Sequence, residues 1–208
     1  MQNLEKMGFT KPSVIQGLAI PCIIKPPFSN IVAQAKTGSG KTGAFAVGTI
    51  MRIDRSLDKT QVLVVTHTRE LCNQTHAVYE GICKGTGISV TNMNTDSGQG
   101  MIMVGTHGKV EKVVNGRKAL DLKALRCLVM DECDVFFLDE KNYESVKSIV
   151  RSTSLKDHKG FQWVLFSATF PVQDEGKYEE VQKRISTYVK EAVEIKLKPE
   201  KLKLPHIQ

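Results

Sequence analysis

Short apolar runs rich in β-branched residues alternate along the chain with longer stretches of mixed polarity. Six runs read as strands: residues 30–34, 61–66, 88–92, 101–105, 126–131 and 161–167. Most are continuously apolar rather than alternating, the pattern of parallel strands covered on both faces. Between them, helices are predicted over residues 41–52, 69–84, 108–115 and 143–151. Strand–helix alternation of this length implies an α/β fold, with a mainly parallel central sheet flanked by helices. Residues 1–171 read as one core. Residues 172–208 read as a polar closing helix, an edge strand over 193–198 and the start of a lysine-rich linker. Ligands of such sheets sit beyond the carboxyl ends of the strands, so the chemistry is expected immediately after each run.

Composition narrows the class without deciding it. With 41% hydrophobic and 25% charged residues among 208, the chain is of ordinary globular make-up, which excludes disorder, collagen and coiled coil. Its apolar runs, such as residues 18–24, fall well short of the roughly 18–20 residues that span a bilayer. No basic segment followed by an apolar one opens the sequence, so a soluble protein is expected. Five cysteines, an odd number with no CxxC pair, disfavour a disulfide framework or a structural zinc site and fit a reducing compartment. The net charge of +7 permits contact with nucleic acid or an anionic surface but does not establish it.

The strongest chemical signal follows the first strand, where AKTGSGKT (35–42) opens a helix. This is the phosphate-loop pattern with Ala35 in place of its first glycine. Gly38 and Gly40 let the backbone turn its N–H groups inward around a phosphate, assisted by the helix dipole. Lys36, Thr37 and Ser39 complete the loop. Lys41 is placed to reach the β- and γ-oxygens of a nucleotide, and the Thr42 hydroxyl to ligate Mg²⁺. The fifth strand runs straight into DECD (131–134). A carboxylate there suits the nucleotide's Mg²⁺, through water, so Asp131 takes the metal role and Glu132 is placed to polarise an attacking water. The alternative is an acidic first turn of a helix.

Taken in order, Phe9 with KPSVIQ (11–16), AKTGSGKT, THTREL (66–71), GTHGK (105–109), DECD and SAT (167–169) resemble the N-terminal RecA-like domain of a DEAD-box RNA helicase, over nearly the whole chain. The runs IQGLAIPCIIKPP and EIKLKPEKLKLPHIQ, with GTHGK, are most similar to the mRNA-export branch. The resemblance implies ATP with Mg²⁺ as cofactor. Phe9 and Gln16 would read adenine; the alternatives are a core phenylalanine and a glutamine on a helix surface. Thr68, Arg69, Thr106, Gly108 and Lys109 would hold an RNA backbone, a task that carries little sequence information. An alternative for Arg69 is a surface ion pair. Ser167 and Thr169 would link the ATP and RNA sites, or else cap a helix. Gly98 and Gly100 correspond loosely to a glycine pair that touches RNA.

Four positions depart from the family pattern: His67 and His107 stand where prolines are usual, Lys109 where arginine is frequent, and Cys133 where alanine is usual. Nothing after SAT resembles the family's second RecA-like domain, so that domain and its arginine finger are expected to be supplied from outside this chain. The implied function is the ATP-binding half of an RNA-dependent ATPase that clamps RNA and separates short duplexes. Implied surroundings are RNA, the second domain and protein regulators, a monomer, no membrane, and a cytoplasmic or nuclear location including the nuclear pore. Two other readings stay open: an ATP-gated RNA clamp with incidental turnover, and a P-loop ATPase acting on DNA or protein.

Overall fold

A computed structural model describes residues 2–116, 120–153, 160–168 and 174–197. The elements run α1 (Gln2–Lys6), α2 (Val14–Ile24), β1 (Ile31–Gln34), α3 (Lys41–Ile50), β2 (Val62–Thr66), α4 (Arg69–Cys83), β3 (Val90–Asn92) and β4 (Ile102–Thr106). They continue with α5 (His107–Val114), β5 (Cys127–Asp131), α6 (Cys133–Leu138), α7 (Glu140–Thr153), β6 (Gln162–Ser167), α8 (Glu175–Tyr188) and β7 (Val193–Lys196).

Seven strands form one sheet in the order β3-β4-β2-β5-β6-β1-β7. Every pairing in it is parallel, not merely most of them. Successive side chains of a strand point to opposite faces, and here both faces are buried. Ile31, Val62, Val64, Val129, Val164 and Phe166 pack with Phe45 of α3 and Tyr79 of α4. Leu63, Val65, Leu128, Met130 and Leu165 pack with Val110 of α5, Phe136 of α6 and Ile149 of α7. Truncating a fully buried ring such as Phe45 would cost about 3–5 kcal/mol. The edge strands are short, and in β7 only Ile195 is buried.

Three helices escape the periodicity. In α2 an internal Pro21 and near-continuous apolarity mask the helical spacing, and Val14 and Leu18 remain 68% and 48% exposed. α6 begins within the acidic tetrapeptide, and α1 holds only five residues. Predicted boundaries elsewhere shift by a few residues: the strand expected over 88–92 pairs only from Val90, and α7 starts earlier, at Glu140. No helix among the described residues is long and apolar enough to cross a membrane.

The amino ends of the strands are tied by polar side chains. Arg52, buried after α3, donates to Gln162 Oε1 at 2.8 Å and to the Gly160 carbonyl at 2.7 Å. Its guanidinium also stacks 3.9 Å from the Phe28 ring. Gln162 in turn donates to the carbonyls of Cys22 and Ser29.

Candidate functional site

The carboxyl ends of the strands bring the predicted residues into a row. From one side of the sheet to the other stand the turns after β4, β2, β5, β6 and β1. The phosphate loop thus lies at one end, Ser167 and DECD in the middle, and the THTREL and GTHGK turns beyond.

In the phosphate loop Gly38 and Gly40 adopt φ of +77° and +94°, the left-handed conformation in which glycine is unstrained. Gly40 caps α3. A Cβ there would lie 2.7 Å from Gln16 Nε2 and 2.9 Å from Ser13 Oγ, so a side chain at this position would displace one or both. Lys41 Nζ donates to the carbonyls of Ala35, at 2.8 Å, and Lys36, at 3.2 Å. Burial lowers the pKa of Lys41, and Asp131, Glu132 and Asp134 oppose the shift. Lys36, Thr37 and Gly38 are exposed at the tip, Thr42 is half-buried, and Ser39 Oγ is buried without a hydrogen-bond partner. Ala35 costs the loop nothing: its side chain is buried and its N–H donates to the Ser167 carbonyl.

Phe9 and Gln16 meet at this loop, though neither sits as the plain alternatives had it. The Phe9 ring lies over the first turn of α3, where a Cβ on Gly43 would come within 2.6 Å of it. Gln16 is buried rather than on the surface. Its amide accepts from Ser13 N–H at 2.9 Å and donates to the Gly40 carbonyl at 3.2 Å.

Asp131 ends β5 only 6% exposed, and burial pushes its carboxyl up to about 6 against the pull of Lys41. Its Oδ1 accepts from Glu132 N–H at 3.0 Å. Glu132 caps α6 in the left-handed conformation, φ 54°, a costly setting for a residue with a side chain. The acidic segment also opens a helix, which is what the alternative reading expected. Ser167 Oγ donates to Asp134 Oδ1 at 2.6 Å. Thr169 lies outside the described residues, as does the chain beyond Leu197. Asp134 and Ser13, to which no role was given from the sequence, are both part of this arrangement.

Beyond β2 and β4 an open cleft of about 530 Å³ is lined by His67, Arg69, Asn94, Thr106, His107, Gly108, Lys109 and Lys112. Thr68 caps α4, its hydroxyl accepting from Leu71 N–H. Arg69 and Lys109 are exposed, and among the described residues neither pairs with a carboxylate. The histidines at 67 and 107 leave both strand-to-helix turns intact, with α4 and α5 starting at Arg69 and His107. Asn94, which sequence reasoning did not single out, accepts from Thr106 Oγ1 at 3.0 Å. Gly98 and Gly100 do not line this cleft. Gly98 borders a neighbouring hollow, and Gly100 is buried before β4, its carbonyl bonded to Thr60 at 2.8 Å.

A parallel sheet carrying a phosphate loop at one strand end, and acidic and basic turns at its neighbours, is a RecA-like P-loop domain. The chain belongs to the DEAD/DEAH box helicase family, whose pattern it matches over residues 13–177. It is 35% identical, over all of its length, to ATP-dependent RNA helicase DBP5 of Lodderomyces elongisporus. It is 33% identical over 98% of its length to DEAD-box ATP-dependent RNA helicase 38 of Arabidopsis thaliana. The chain spans 40% and 42% of those two proteins. Among solved structures it is similar to S. cerevisiae Dbp5 bound to RNA and ADP BeF3, with a TM-score of 0.82 and 28% identity, covering 95% of this chain and 49% of that one. A DEAD box protein from Methanococcus jannaschii superposes with a TM-score of 0.80 at 28% identity, covering 95% and 53%.

Proposed function

We propose that this chain is the ATP-binding half of an RNA-dependent ATPase, which clamps single-stranded RNA and separates short duplexes in concert with a second RecA-like domain. The observation that carries the reading is the strand order, which sets a phosphate loop, an acidic pair and a basic cleft side by side along one edge of the sheet. Residues 1–171 form the core in this reading. Residues 172–208 supply the closing helix, the edge strand and the start of a linker to the second domain.

Family membership supports the reading, as does a relative solved with both RNA and a nucleotide. The loop also fits a nucleotide on its own terms. Ser39 Oγ is buried and without a hydrogen-bond partner among the described residues, and the Lys41 ammonium rests on two carbonyls it can leave for phosphate oxygens. Phe9 would stack on the base, and Gln16 would exchange its internal bonds for the base edge, since an amide offers a donor and an acceptor together. Among the described residues no cluster of His, Cys, Asp or Glu forms a metal cage. This suits Mg²⁺ held by phosphates, by Thr42 and, through water, by Asp131. Bound there, the ion would neutralise phosphate charge. Glu132 would take the proton of the attacking water and Lys41 would balance charge on the γ-phosphate. Thr68, Arg69, Thr106, Gly108 and Lys109 would grip the RNA backbone, and Ser167 with Thr169 would connect the two ligands.

Likeness to DBP5 proteins, one of them solved bound to nup159 and gle1, supports a place in mRNA export, at the nuclear pore and in the cytoplasm, with protein regulators of that kind. The test is ATP hydrolysis by the full-length protein with and without single-stranded RNA, with Lys41→Ala as the blank. Stimulation by RNA but not by DNA, abolished in the blank, is expected. Hydrolysis indifferent to RNA would remove the helicase reading and leave a P-loop ATPase.

A further inference from the structure

Two histidines stand between the basic cleft and the acidic pair. Because β2 lies between β4 and β5, the residue after β2 faces the turn of β4 on one side and the carboxylates of β5 on the other. That residue is His67. Its Nδ1 is 3.0 Å from Glu132 Oε2, with side-chain exposures of 23% and 34%. The nitrogen is buried and without a hydrogen-bond partner among the described residues, and a small rotation of the ring would bring it into line to donate to the carboxylate. Among the described residues His67 is the one basic side chain within ion-pair reach of Glu132. The second histidine backs the first. His107 lies close enough to His67 for their charges to interact, and its ring meets the edge of Phe136 with centroids 5.8 Å apart. Phe136 belongs to α6, the helix that Glu132 caps.

We infer that His67 is a positioning residue for Glu132, and that it ties the setting of that carboxylate to the turn carrying Thr68 and Arg69. The inference rests on the reading of Glu132 as the group that activates water. A carboxylate on a left-handed backbone has a fixed origin but a free side chain, and an imidazole on one flank removes that freedom. Since Thr68 and Arg69 follow His67 directly in the chain, a phosphate seated on them shifts the imidazole, and the carboxylate moves with it. RNA seating thereby reaches the hydrolytic group along the sheet's strand ends, without passing through the phosphate loop.

The test is single-turnover ATP hydrolysis by the full-length protein at saturating RNA, alongside nucleotide affinity from titration calorimetry. His67→Ala is expected to slow hydrolysis about 10- to 100-fold, the usual cost of losing a residue that orients a reacting one. Nucleotide Kd should stay within about twofold, marking an effect on the chemical step alone. His67→Asn, whose amide nitrogen overlays Nδ1, should restore most of the rate. His67→Gln, with its donor one bond further out, should not. In a Glu132→Gln background, His67→Ala should add less than about twofold, because the two residues act as one unit. A wild-type rate in His67→Ala, equal rescue by Asn and Gln, or additive losses would each overturn the inference. The Asn and Gln variants decide the matter if Ala fails to fold. Glu132→Gln hydrolysing at the wild-type rate would instead overturn the reading beneath it.

Discussion

Toward the β1 end of the row of strand ends several polar groups are already bonded to protein, the Ser39 hydroxyl being an exception. Lys41 holds two loop carbonyls, Gln16 bridges Ser13 and Gly40, and Ser167 donates to Asp134. At the β4 end Arg69, Lys109 and Lys112 face an open cleft, and none is paired with a carboxylate among the described residues. The first region is preorganised. A ligand there would replace internal bonds of matched geometry, so its selectivity would come from fit. Under the proposed function the second would attract through exposed charge, so its affinity would follow ionic strength and carry little sequence information.

This contrast can be broken at several points. The largest effect belongs to Glu132→Gln, expected to slow single-turnover hydrolysis by about 10²- to 10⁴-fold while nucleotide and RNA binding persist. A clamp with incidental turnover would keep cellular function in that variant, whereas a remodelling enzyme would lose it. Next comes Gly40→Ala, which places a Cβ against Gln16 and Ser13 and forces φ of +94° on a residue with a side chain. Its cost is expected at about 1–3 kcal/mol, read as a lower melting temperature and weaker nucleotide binding with an unchanged RNA salt dependence. Arg69→Ala and Lys109→Ala should each reduce the slope of log affinity against log salt by about 0.7, equally for RNAs of different sequence, and leave nucleotide Kd alone. A change in sequence preference would show that the cleft reads bases.

The smallest effect concerns His107. Burial lowers its pKa from 6.5, aided by His67 and Lys141 and opposed by Glu111 and the Thr66 carbonyl. The folded chain thus holds this proton less tightly than the unfolded chain. Its contribution to stability is complete above about pH 6.5 and is lost as pH falls through the lower, folded value. His107→Gln should flatten that acid limb in urea melts taken across the range, and an unchanged limb would place the proton uptake elsewhere.

The strands and the phosphate loop were legible because their signals are local. A parallel strand covered on both faces is a continuous apolar run, and the loop's glycines sit where the backbone must turn left-handed. α2 was not legible, since Pro21 interrupts it and its exposed Val14 and Leu18 blur any apolar stripe. The burial of Gln16 depends on Gly40, 24 residues away, and the carboxylate of Asp134 is claimed by a serine 33 residues on. Asn94 joins the cleft because β3 pairs with β4, and His67 meets Glu132 because β2 pairs with β5. Each of these follows from strand order, which apolar periodicity does not encode.

The Arg52 tie at the opposite ends of the strands gives the domain a foundation separate from its working edge. One guanidinium gathers Phe28, Gly160 and Gln162 from distant parts of the chain, and no residue assigned to a ligand takes part. For protein engineering this is a useful partition. The turns at the carboxyl ends can be rewritten to accept other ligands while the foundation is left untouched. Arg52→Lys, which trades a flat multi-donor fork for a single point, would be felt as a weaker scaffold and not as altered ligand choice.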